Sequence, residues 1–259
     1  MSLPLRIARS LLARPDTRHR YGEDPSQVAD LHVPRGPGPF RVVVVIHGGS
    51  WEPRFGRLTT RPIALDLVDR GWAAWNLEYR RVGPARGGGG GWPQTFEDIA
   101  AGIDALGSLG DPRLDVASVD VVGHSAGGQL ALYAGAPETT RAVPVRRVAG
   151  LAAVSNLGVA GATAHALMGG GPAQVPERYA IADPLRRVPL PIPVLLVHAT
   201  DDRSVPAKRS REYVAASRAA GGEAELVEVA TGGHRAPIDP PSEAWQAAAG
   251  WLDAEMQAR

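Results

Sequence analysis

The chain is 259 residues long, 44% hydrophobic and 21% charged, with 28 basic side chains against 27 acidic ones and a formal net charge of +1. That balance removes any electrostatic case for a nucleic acid or an anionic membrane as partner, and the complete lack of cysteine excludes disulfides, thiolate catalysis and thiolate metal sites. The length admits one large α/β domain or two small ones.

Residues 1–20, MSLPLRIARSLLARPDTRHR, are basic and mildly amphipathic. Arg6, Arg9 and Arg14 interrupt the apolar stretch, which argues against a secretory core, and no run in the chain reaches the roughly 18–20 apolar residues of a membrane span. The expectation is an N-terminal arm or short helix on a cytoplasmic protein, followed by a single α/β domain over residues 21–259.

Strand-like runs then recur at Val28–Val33, Arg41–Ile46, Trp72–Leu77, Ser118–Val122, Val148–Val154, Val194–His198 and Glu225–Val229. RVVVVI and PVLLVH are continuously apolar and β-branched, as strands buried on both faces of a parallel sheet must be. Helical spacing appears between them, in Phe96, Ile99, Ile103 and Leu106 and in Trp245, Ala248, Ala249 and Leu252. Alternating strands and helices predict an open α/β sheet with helices on both faces. Two stretches break the rhythm. GPARGGGGGW (83–92) reads as a long flexible surface loop, and residues 155–180 as an excursion forming a short cap or lid.

In such a sheet ligands bind beyond the carboxyl ends of the strands, so each candidate must follow a strand. Four segments do. IHGGSW (46–51) follows the second strand, and its glycines let backbone N–H groups turn toward a ligand; Gly49 and Ser50 are candidate oxyanion donors, with His47 a structural residue of the loop. VDVVGHSAGGQLAL (119–132) sets G-x-S-x-G between a strand and a helix, making Ser125 a nucleophile and the Ala126 amide a third donor. TDDRSVP (200–206) offers two adjacent carboxylates, one to orient a base, the other to cap the next helix or stay solvated. ATGGHRAP (230–237) places His234 in a glycine-rich loop after the last strand. His234 is the expected base. His198, at a strand end, is the alternative; His124 flanks the serine, His165 falls in the cap, and His19 and His32 precede the main sheet.

With these pieces in order the chain resembles enzymes of the α/β-hydrolase fold over most of residues 25–257. HGGSW, LEYRRVG and GHSAGGQLAL are similar to the small carboxylesterase and arylformamidase-like branch, related to the hormone-sensitive-lipase type. The resemblance implies a mostly parallel sheet of about seven to eight strands with a short cap at most. Aligned on Val205-Pro206, the family pattern H-G-x-x-D-x-x-V-P makes Asp202, not Asp201, the acid, with Ala199 in place of its glycine. Arylformamidases often carry an aromatic where Ser50 stands, which favours ester over formamide substrates.

The expected activity is hydrolysis of small to medium carboxylic esters by Ser125, His234 and Asp202, with no cofactor or metal and a small-molecule ester or amide as the only partner; the oligomeric state stays open. Amide hydrolysis, acyl transfer and a non-catalytic binding protein on the same fold are the alternatives. Trp51, Tyr79, Trp92, Leu157 and Met168 are candidates to line the pocket, or equally to pack the core.

Overall fold

A computed structural model describes residues 3–10, 12–137 and 142–257. Eight strands form one sheet in the order β1-β2-β4-β3-β5-β6-β7-β8. They are β1 (Thr17–Arg20), β2 (Val28–His32), β3 (Phe40–Ile46), β4 (Ala73–Leu77), β5 (Leu114–His124), β6 (Val145–Leu151), β7 (Val194–Ala199) and β8 (Ala224–Val229). β2 runs antiparallel to both β1 and β4, and every other pair is parallel.

The parallel strands read as uninterrupted apolar runs because both faces are covered. Alternate residues of β3 enter opposite cores: Val42, Val44 and Ile46 pack with Trp75, Leu77 and Ile99, while Val43 and Val45 pack with Ile63, Trp72 and Trp245. The first face is closed by α3 (Gln94–Asp104), α4 (Ala126–Ala134) and the 155–180 excursion, the second by α2 (Arg61–Asp69) and α8 (Glu243–Gln257).

Seven strands overlap the apolar runs, but β5 extends beyond its run at both ends, beginning at Leu114, and β6 lies three residues earlier than Val148–Val154 at both ends. The eighth, β1, is TRHR, a polar edge strand with no hydrophobic signature, and it falls inside the stretch read as an arm. Its pairing with β2 is reinforced by Arg18, which donates to the buried Asp30 at 2.6 Å. Ahead of it α1 (Leu3–Ser10) docks through Arg6, which donates to Asp239 at 2.6 Å; residues 1, 2 and 11 of this stretch are outside the described set.

The glycine-rich loop is closed on itself by backbone bonds from Arg81 to Gly87 and from Gly89 to Gly83. The 155–180 excursion contains α5 (Ala162–Met168) and the start of α6 (Pro176–Ala182), anchored by Leu157, Leu167, Met168 and Tyr179 in the first core.

Candidate active site

β5 ends at His124 and α4 begins at Ala126, so Ser125 alone makes the turn, at φ 55° and ψ −117°. A non-glycine residue holds that conformation only where the surroundings over-determine it. They do: the Ser125 amide donates to the Leu151 carbonyl at 2.8 Å, and its own carbonyl accepts from Gly128 and Val154. The flanking glycines are required by space, since a Cβ on Gly123 would collide with the Gly127 carbonyl, and one on Gly127 with the carbonyls of Ile46 and His47.

The turn after β8 brings His234 over the strand ends. Ser125 Oγ donates to His234 Nε2 at 2.8 Å, and His234 Nδ1 donates to Asp202 Oδ2 at 2.7 Å. Asp202 is buried, with its other oxygen accepting from the Ser204 and Val205 amides at 2.7 and 3.0 Å. Burial by itself would raise its pKa. Hydrogen bonds from His198, His234 and the Val205 amide outweigh that cost and hold the carboxyl far below the usual carboxylate range.

His198 therefore reaches Asp202, not Ser125. Its Nε2 lies 3.1 Å from Asp202 Oδ2 and 2.8 Å from the Val205 carbonyl, and its Nδ1 meets Ser210 Oγ at 2.8 Å. Asp201, the second carboxylate of the pair, does not cap α7 (Lys208–Ala219) but stays exposed to solvent, as the alternative expectation had it. It accepts from the Gly232 and Gly233 amides at 3.2 and 2.8 Å, tying down the loop that carries His234. His124 supports the same loop, donating from Nε2 to the His234 carbonyl at 2.8 Å. Burial pushes its pKa down to about 3, and the neighbouring His234 adds to the shift, so it donates as a neutral imidazole.

Gly48, Gly49, Ser50 and Trp51 line the same cavity as Ser125 and His234. Gly49, Ser50 and Trp51 all have positive φ, at 118°, 53° and 57°, a run that turns the backbone sharply after β3. Ala126 is fully buried; as the first residue of α4 its amide has no acceptor one turn earlier in the helix.

The cavity is open and about 580 Å³ in volume. Of the five side chains read as its candidate walls, only Trp51 lines it. Tyr79 lies beneath the loop, stacked on His47 at 4.3 Å with its hydroxyl donating to the His47 carbonyl. Trp92 packs edge-on against Phe96, and Leu157 and Met168 point into the core under the excursion, because an excursion of this length needs its apolar residues as anchors. The apolar wall comes instead from Leu3, Pro4 and Ile7 of α1, with Phe55, Val159 and Ile238. The only sequence signal for α1 was its mild amphipathicity, which does not name what its apolar face meets. Among the described residues no group of three or more His, Asp or Glu could hold a metal ion, and no helix is long and apolar enough to cross a membrane.

Residues 29–216 match the BD-FAE family. No curated protein matches the chain. Among solved structures, a truncated carbohydrate esterase from gut microbiota superposes with a TM-score of 0.80 at 18% identity, over 93% of this chain and 96% of that one. An acetyl ester-xyloside bifunctional hydrolase from Caldicellulosiruptor lactoaceticus gives 0.76 at 18% identity, over 93% and 97%. The butyrate-bound esterase Est2 of Thermogutta terrifontis gives 0.72 at 18% identity, over 93% of each chain. At these identities the likeness establishes the α/β-hydrolase fold.

Proposed function

The chain belongs to the BD-FAE family, and from that premise we propose that it is a serine hydrolase cleaving carboxylic esters of small to medium acyl groups. One observation carries the reading: Ser125 Oγ, His234 and Asp202 are joined by hydrogen bonds of 2.8 and 2.7 Å at the floor of an open cavity.

Ser125 attacks the acyl carbon as His234 takes its proton, and the charge that develops on the carbonyl oxygen is met by backbone N–H groups of Gly49, Ser50 and Ala126. Asp202 keeps the imidazole in the tautomer with Nδ1 protonated and stabilises it once it is charged. His234 then protonates the leaving alcohol, and water repeats the sequence to free the acid. The fold neighbours include proteins described as an acetyl ester hydrolase and a butyrate-bound esterase, which supports the small-acyl reading.

The test is turnover of p-nitrophenyl esters of increasing chain length beside N-formylkynurenine and peptide anilides, with Ser125→Ala as control. Ester turnover that vanishes in Ser125→Ala is the expected result. Turnover that survives the substitution, or none on any substrate, overturns the proposal.

A further inference from the structure

His47 and Glu78 form a buried pair beneath the loop that carries Gly49 and Ser50, and neither takes part in the proton relay. His47 is fully buried, with Nε2 2.7 Å from Glu78 Oε1 and Nδ1 2.8 Å from the Gly48 carbonyl oxygen. A carbonyl oxygen only accepts, so Nδ1 carries a hydrogen. Glu78 also accepts from the Arg81 guanidinium at Oε1 and from the Arg57 amide at Oε2, contacts that only an ionised carboxylate satisfies fully. An ionised carboxylate also only accepts, so Nε2 carries a hydrogen as well. A neutral imidazole has one N–H; this ring needs two.

We infer that His47 is a buried imidazolium whose ion pair with Glu78 positions the oxyanion loop. The pair is held from every side. Glu78 Oε2 accepts from the Arg57 amide at 3.1 Å, Arg81 donates to Oε1, and the Tyr79 ring lies parallel to the imidazolium at 4.3 Å. Above it the chain turns through its three consecutive positive φ values, two of them on non-glycine residues, and such strain persists only where the surroundings fix it. His124 closes the other side: a Cβ on Gly48 would collide with the His124 carbonyl.

The charge balance favours the same task. Arg57 also donates to Asp30, which in turn accepts from Arg18 and Arg61. Behind the loop two carboxylates, Asp30 and Glu78, face four arginines, Arg18, Arg57, Arg61 and Arg81. The surplus is positive, the sign that stabilises an oxyanion forming in front of it.

The inference rests on the esterase reading only in its kinetic arm, and the first measurement does not. In ¹⁵N-histidine-labelled full-length protein at pH 7, with His47→Gln for assignment, the His47 ring is expected to show two protonated nitrogens. One protonated and one bare nitrogen overturns the imidazolium. In the second arm, Glu78→Gln is assayed on p-nitrophenyl acetate. A misplaced oxyanion loop lowers kcat by about 10- to 100-fold with KM within about twofold, and weakens a boronic acid inhibitor in parallel. Glu78→Asp, which keeps the charge, recovers part of the loss. A rise in KM at constant kcat, or no change in either, overturns the positioning role. Absence of wild-type turnover on every ester would instead overturn the esterase reading and leave the ring measurement standing.

Discussion

His198 donates to Asp202 at 3.1 Å, on the same Oδ2 that receives His234 at 2.7 Å. Asp202 thus meets two imidazoles, His234, which is also bonded to Ser125, and the fully buried His198. The inner histidine is fixed by Ser210 and the Val205 carbonyl, so it fixes the carboxylate in turn.

Replacing that donor, as in His198→Gln, removes one of the bonds that lower the Asp202 pKa. The pKa then rises toward its unfolded value of about 3.9. A depressed carboxylate contributes stability above that unfolded value, lost as pH falls through the folded one, so the variant gives up part of that contribution at neutral pH. The expected outcome is a urea midpoint below that of the wild type at pH 7, a gap that narrows as pH falls below about 4, and a loss of roughly tenfold in kcat at pH 7. A gap that stays constant with pH would show that His198 only fills space.

Asp201 and Asp202 are adjacent in sequence and divided in task. Asp202→Asn should cost on the order of 10⁴-fold in kcat, the scale of a misoriented imidazole. Asp201→Asn weakens the anchoring of the Gly232 and Gly233 amides and should cost about tenfold, with earlier thermal inactivation. Equal losses in kcat would reassign the acid.

In the proposed reaction an apolar acyl chain packs against the wall made by α1. Each methylene buried against it is worth about 0.8 kcal/mol, roughly fourfold in kcat/KM. Ile7→Ser should therefore lower the butyrate-to-acetate ratio of kcat/KM about fourfold, and Arg6→Ala, which undocks the helix from Asp239, should do so too. A ratio unchanged in both would place the substrate elsewhere in the cavity.

His124 carries a pH signature of its own. Its pKa is about 3 when folded, against about 6.5 when exposed. Between those values the unfolded chain holds a proton that the folded chain lacks, so stability falls as pH is lowered through the window, by up to about 1.4 kcal/mol per unit from this group. Urea unfolding of the wild type and His124→Asn at pH 7 and pH 5 measures it: the difference between the two proteins should narrow at pH 5. A constant difference would mean the ring is charged when folded.

The strand pattern was legible because parallel strands covered on both faces must be apolar throughout, and RVVVVI can be little else. The four chemical segments were legible for a related reason: strained turns and close backbone approach restrict residue choice to glycines and a few partners. β1 was not, since an edge strand carries no burial signal; Arg18 pairs with Asp30 across 12 residues of sequence, and nothing local announces it. The pocket walls were not, because an aromatic side chain in a sequence is equally suited to a core or a cavity until its neighbours are known.

The order Ser125, Asp202, His234 and the fold that orders it follow from local rules of spacing, burial and backbone conformation, and these are written along the chain. Which atoms meet is decided by contacts between distant segments. Tertiary structure alone assigned Asp201 to the histidine loop, brought His198 to the acid, set α1 against the cavity and placed Glu78 under His47. A side chain's type limits what it can bond, and only the packing of remote elements determines what is within reach.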